Sequence, residues 1–176
     1  MRSRSFSIIV TLAVVFCLTQ QVSRAQSARG PSTESERAQA VRLSHALEDE
    51  PFNEGAKKAR AWLATFWEEV PDIGVELCAG FFDPLLGKDK NYGKEIFAQW
   101  MFSSGAYMIE HPDKAKDREA VFGAGVDGML KTYEAILKEK PKAKWSFLDD
   151  LIQKRNSGKL AEWVSETTKK CGQPGK

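Results

Sequence analysis

Residues 123–128, Gly-Ala-Gly-Val-Asp-Gly, have the spacing with which a tight turn brings backbone amides up to a dinucleotide pyrophosphate, and acids follow at Asp149 and Asp150. That chemistry needs a strand running into the glycines and a helix starting among them. The preceding residues, 114–122, read as helix. The glycines are therefore expected to be a packing face, with Ala124 and Gly128 four apart on one side of a helix so that a neighbouring backbone can approach. No cofactor follows from them.

Other reactive groups are sparse. The histidines are His45 and His111, and there is no Gly-x-Ser-x-Gly, His-Glu-x-x-His, Cys-x-x-Cys or Cys-x-x-Cys-His. These absences exclude the common motifs of serine hydrolases, zinc proteases, dithiol redox proteins and covalent haem. His45 falls at the polar border of a first helix. His111, before Pro112, stands where a helix C-terminus favours a cation. Neighbouring carboxylates, Glu68-Glu69 and Asp149-Asp150, point in different directions on a helix and read as solvated faces. An enzyme would require the histidines and carboxylates to converge in one cleft, so the chain reads as non-catalytic, without catalytic residues, metal site or cofactor.

The first 25 residues read as a cleaved secretory signal. Arg2 and Arg4 precede an apolar run of about a dozen residues, and Ser23 and Ala25 supply the small residues before the cut. The run is too short for a membrane span, which takes about 20 apolar residues, and Phe16 before Cys17 departs from the small residue that precedes a lipidated cysteine. The mature chain is thus expected to carry no transmembrane anchor and to be secreted or periplasmic. The full chain holds 26 Lys and Arg against 24 Asp and Glu, and losing Arg2, Arg4 and Arg24 leaves 23 against 24. A near-neutral chain argues against a nucleic-acid partner. One local cluster, Lys138, Lys140, Lys142 and Lys144 around Pro141, reads as a solvated helix end or as a contact for an anion or acidic lipid. Cleavage also removes Cys17, leaving Cys78 and Cys171 as a pair expected to bridge in an oxidising compartment.

About 150 mature residues suit one domain. Residues 26–32, with Gly30-Pro31, are expected to be a disordered lead, 33–171 a single helical domain and 172–176 a flexible tail. Thr33-x-x-Glu36 has capping-box spacing before a first helix with a loose apolar face of Ala38, Val41, Leu43, Ala46 and Leu47. A second helix, capped by Asn53 and stopped by Pro71, places Ala59, Trp62, Leu63, Phe66, Trp67 and Val70 on one stripe. Between Pro71 and Gly87 the pattern fits strand and helix alike, and a short helix is expected because no partner strand exists. The fourteen uncharged residues 96–109 describe a buried central helix, with Gln99, Ser103, Ser104 and Tyr107 in need of partners. Helices over 117–140, from a Ser146 cap to 156, and from 160 onward complete the chain. Prolines 29 residues apart, at 112 and 141, do not fit a 34-residue helical repeat.

The expected fold is all-α: six or seven helices packed as antiparallel hairpins around the buried helix. Trp62, Phe66, Trp67 and Trp100 are the candidate lining of a groove for a partner or a small apolar ligand. The expected role is an exported helical protein that binds another protein or serves an envelope assembly, and the alternative is a carrier or sensor of an apolar ligand between those helices.

Overall fold

The computed structural model describes residues 29–81, 83 and 91–171. The signal expected over 1–25, the start of the lead and the tail over 172–176 lie outside the described residues. The lead's residues 29–32 lie within them. Ser32 donates from its backbone N and its Oγ to Asp72, both at 2.8 Å. Arg29 pairs with Glu36 and, at 3.2 Å, with Glu69. Chain contacts thus begin before the first helix.

Six α-helices follow, and among the described residues there is no strand. They are α1 (Glu34–Asp49), α2 (Ala56–Glu69), α3 (Gly93–Glu110), α4 (Arg118–Glu139), α5 (Ser146–Asn156) and α6 (Leu160–Lys170), with one 3-10 turn at Ala79–Phe81. The all-α class is the one that the periodicity predicts. None of the described helices is long and apolar enough to cross a membrane.

Local chemistry starts and stops several of these helices. The capping box at α1 is closed in both directions: the Thr33 Oγ1 accepts from the Glu36 N–H at 3.3 Å, and the Glu36 carboxylate accepts from the Thr33 N–H at 2.8 Å. Asp117 caps α4 by accepting from the Ala120 N–H at 3.1 Å. Gly158, at φ +72°, supplies the left-handed residue that turns the chain out of α5.

Two expected caps are corrected. Asn53 donates to the Glu50 carbonyl at 2.9 Å, and α2 starts only after Gly55, which offers no side-chain cap. Ser146 is already the first helical residue of α5. α5 has no side-chain cap, and its start is fixed from a distance instead: the Tyr133 hydroxyl on α4 accepts from the N–H of Trp145, the residue before the helix, at 2.7 Å and donates to Asp149 at 2.8 Å. Burial, only partly opposed by the Trp145 N–H, pushes this phenol up to about 12. Tyr133→Phe is expected to cost about 1–2 kcal/mol, because it strands a donor at the start of α5. A urea melt at neutral pH checks it, and an unchanged midpoint would mean that water replaces the hydroxyl.

The helix expected from 71 to 87 is also corrected over its first half, since residues 73–78 belong to no helix. Pro71 and Gly74 oppose one. Ile73 packs against one core cluster and Val75 against the other, so this segment links the two cores.

One core cluster joins α1, α2 and α3 through Leu47, Leu63, Phe66 and Phe102. The larger one joins α3 to α4, α5 and α6 through Ile96, Trp100, Phe122, Leu130, Leu148 and Val164. Between residues 96 and 109 no side chain is exposed. Accordingly α3 lies against α1, α2 and α4, while α4 also packs on α1, α5 and α6. Cys78 and Cys171 are bridged, with Cα atoms 5.4 Å apart, fastening the segment before the 3-10 turn to the end of α6.

Candidate functional site

The glycines 123, 125 and 128 lie inside α4, preceded by helix rather than strand, so the pyrophosphate geometry is absent. The pair that admits a neighbour is Gly125 and Gly128. This corrects the expected Ala124 and Gly128, because Ala124 is only half-buried. A Cβ on Gly125 would meet the Ser104 Oγ at 2.2 Å, and one on Gly128 would meet the Ser103 Oγ at 2.0 Å and the Glu48 Oε1 at 2.7 Å. The absence of side chains here lets α3 and α4 approach closely and leaves a slot into which α1 inserts a carboxylate.

That carboxylate is Glu48, whose side chain is 6% exposed. It accepts from the Ser103 Oγ at 2.6 Å and faces the Lys131 Nζ at 3.5 Å and the His45 Nδ1 at 3.3 Å. Gln99 completes the group by donating to the Ser44 carbonyl and to the Ser103 Oγ, each at 2.9 Å. On its outer side the His45 Nε2 meets both oxygens of Glu110 at 3.2 Å. Burial would lower the His45 pKa, but its hydrogen bonds to the two carboxylates, Glu48 and Glu110, outweigh it and raise it. Lys131 is raised too, first by its bond to Asp127.

A serine 2.6 Å from a carboxylate resembles a nucleophile beside its base, yet this pair lies in the interface of three helices with Ser103 only 4% exposed. A substrate has no approach to it, and its chemistry is that of a closed interhelical network. His111 is the C-cap residue of α3, its ring 4.5 Å from that of Tyr107. Of the carboxylate pairs, Glu69 binds Arg29, Asp149 binds Tyr133 and Asp150 faces Lys154 at 3.4 Å. Among the described residues no group of three or more His, Cys, Asp and Glu is arranged to hold a metal.

The four aromatic candidates divide between the two cores. Trp62 stacks on Phe66 at 5.2 Å and Phe66 meets Trp67 edge-on at 4.8 Å, whereas Trp100 is fully buried beside Phe81 and Phe122. Trp67 lies directly on α3 at Gly105, where a Cβ would come within 2.4 Å of its ring. At that point α2 and α3 are in contact.

One open cleft among the described residues lies elsewhere. A depression of about 770 Å³ lies between the start of α3 and the turn from α4 to α5, lined by Tyr92, Lys94, Glu95, Glu139, Lys140 and Lys142 among others. The chain enters it through two left-handed residues, Asn91 at φ 55° and Tyr92 at φ 63°. The Asn91 Nδ2 donates to the Lys144 carbonyl at 2.9 Å, which ties the two walls together. Tyr92 meets Phe52 edge-on at 4.9 Å, and the Lys140 Nζ sits 5.9 Å over the same phenylalanine ring. Half of this site was visible in the lysine cluster around Pro141; the half supplied by residues 91–95 was not, since nothing local marks Asn91-Tyr92 as left-handed. No sequence motif marks Glu48 either, although its spacing from Ala40, Ser44 and Leu47 puts it on the inward face of α1. In comparisons with protein-family models, curated proteins and solved structures, nothing matches the chain.

Proposed function

We propose that this chain is an exported, non-catalytic helical module that binds another protein, and that the partner docks an acidic segment in the cleft at the start of α3. The observation that carries this reading is the cleft itself, where, among the described lining residues, Lys94, Lys140 and Lys142 stand around about 770 Å³ with the acids Glu95 and Glu139. Tyr92 adds an aromatic wall, and the first turn of α3, which has no side-chain cap, adds its partial positive charge. Export is supported by the charged and apolar pattern of residues 1–25 and by the Cys78–Cys171 bridge, which suits an oxidising compartment.

The test is an NMR titration of the isotopically labelled chain with poly-glutamate as the probe. Shifts are expected to gather at residues 91–95 and 139–143, to fade with added salt, and to drop at least several-fold in a Lys140→Glu, Lys142→Glu double variant. Shifts spread evenly over the remote lysines, such as Lys57 and Lys169, would sink the proposal.

A further inference from the structure

We infer that His45 is a proton-operated clasp between α1 and the C-terminal end of α3, closed when the imidazole is doubly protonated and released at Glu110 when it is neutral. The geometry requires two hydrogens. The Nδ1 faces Glu48 at 3.3 Å on its own helix, and the Nε2 faces Glu110 at 3.2 Å from α3. From α4 the facing groups are Lys131, 3.5 Å from Glu48, and Asp127, which holds Lys131 at 2.9 Å. An imidazolium donates to both carboxylates; a neutral ring carries one hydrogen and leaves a lone pair facing the other acid.

The side that lets go is decided by what each acid keeps. Glu48 is buried and retains Ser103 and Lys131. Glu110 is 38% exposed and can be taken up by water. Losing the proton therefore frees the last turn of α3, which ends at Glu110 and is followed by the C-cap His111, whose N–H bonds the Tyr107 carbonyl at 2.8 Å. The sign follows from the raised imidazole: the clasp is fully closed below the ordinary histidine value of about 6.5 and is lost as pH rises through the higher folded value.

The experiment follows the ring protons of His45 by NMR in the purified chain, with His111→Gln used to assign the two histidines. The His45 midpoint is expected above that of a free imidazole, and Glu110→Gln is expected to lower it by about half a unit, roughly threefold in proton affinity. Amide exchange over 107–111, corrected for its intrinsic pH dependence, is expected to quicken as His45 deprotonates in the parent chain and to stay level in Glu110→Gln. A His45 midpoint at or below that of free imidazole, or an exchange profile that Glu110→Gln leaves unchanged, overturns the clasp.

Discussion

Replacing Cys78 and Cys171 together by alanine is expected to lower the free energy of unfolding by about 2–5 kcal/mol, much of what holds a domain of this size together. The two residues are 93 apart in sequence. Cross-linking a loop that long removes a large share of the unfolded chain's freedom, about 4–5 kcal/mol in the chain-entropy account. The bridge also acts locally. The chain from Val70 to α3 contains, among its described residues, only the three-residue 3-10 turn, and Phe81 in that turn packs on Trp100, Phe122 and Trp163. Without the bridge, the described contacts of the segment with α6 would be those of Phe81 with Trp163 and of Gly80 with Thr167. Urea melts of the parent chain with and without reductant, beside the double variant, measure the effect. Reduction and double substitution should shift the midpoint alike, and a parent chain indifferent to reductant would refute the expected dependence.

Where the sequence was read well, the determinant was local or strongly periodic. Thr33 and Glu36 cap α1 from three residues apart, Gly158 ends α5, and the uncharged run 96–109 has no exposed side chain. The pairing of Cys78 with Cys171 needed no geometry, because removal of the signal would leave no other cysteine. Apart from the local cases of Asn53 and of residues 73–78, the misreadings have a different origin: the deciding partner is far away in the chain. Ser146 looks like a cap, yet α5 has no side-chain cap and its start is held by Tyr133, thirteen residues upstream, through the Trp145 N–H. The inward face of α1 is Ala40, Ser44, Leu47 and Glu48 rather than a stripe through Ala38 and Ala46, both of which are exposed. Hydrophobic periodicity cannot find a face that contains a glutamate, since the residues that accept it, Ser103 and Lys131, lie 55 and 83 positions further on. The cleft was legible only on its lysine side for the same reason.

The glycine motif shows how one residue type in one helix can have opposite consequences. Gly128→Ala is expected to destabilise the chain by about 1–3 kcal/mol, the usual range for overpacking a core. The new Cβ would lie 2.4 Å from the Cβ of Ser103 as well as 2.0 Å from its Oγ. A Cβ is fixed to its helix, so rotating the serine cannot relieve the contact and α3 and α4 must separate. Separation would also pull Ser103 away from Glu48, leaving a buried carboxylate with one hydrogen bond fewer. The better helix propensity of alanine, about 1 kcal/mol, offsets only part of this. Gly123→Ala carries the same propensity gain, but its Cβ would meet nothing closer than the Val164 Cγ1 at 3.9 Å, an ordinary contact. It is expected to stabilise by about 0.4–1 kcal/mol. Paired urea melts should therefore move in opposite directions, and the His45 titration should change in Gly128→Ala but not in Gly123→Ala, because only the former disturbs the bonds of Glu48. A Gly128→Ala variant as stable as Gly123→Ala would show that the two helices do not approach through these glycines.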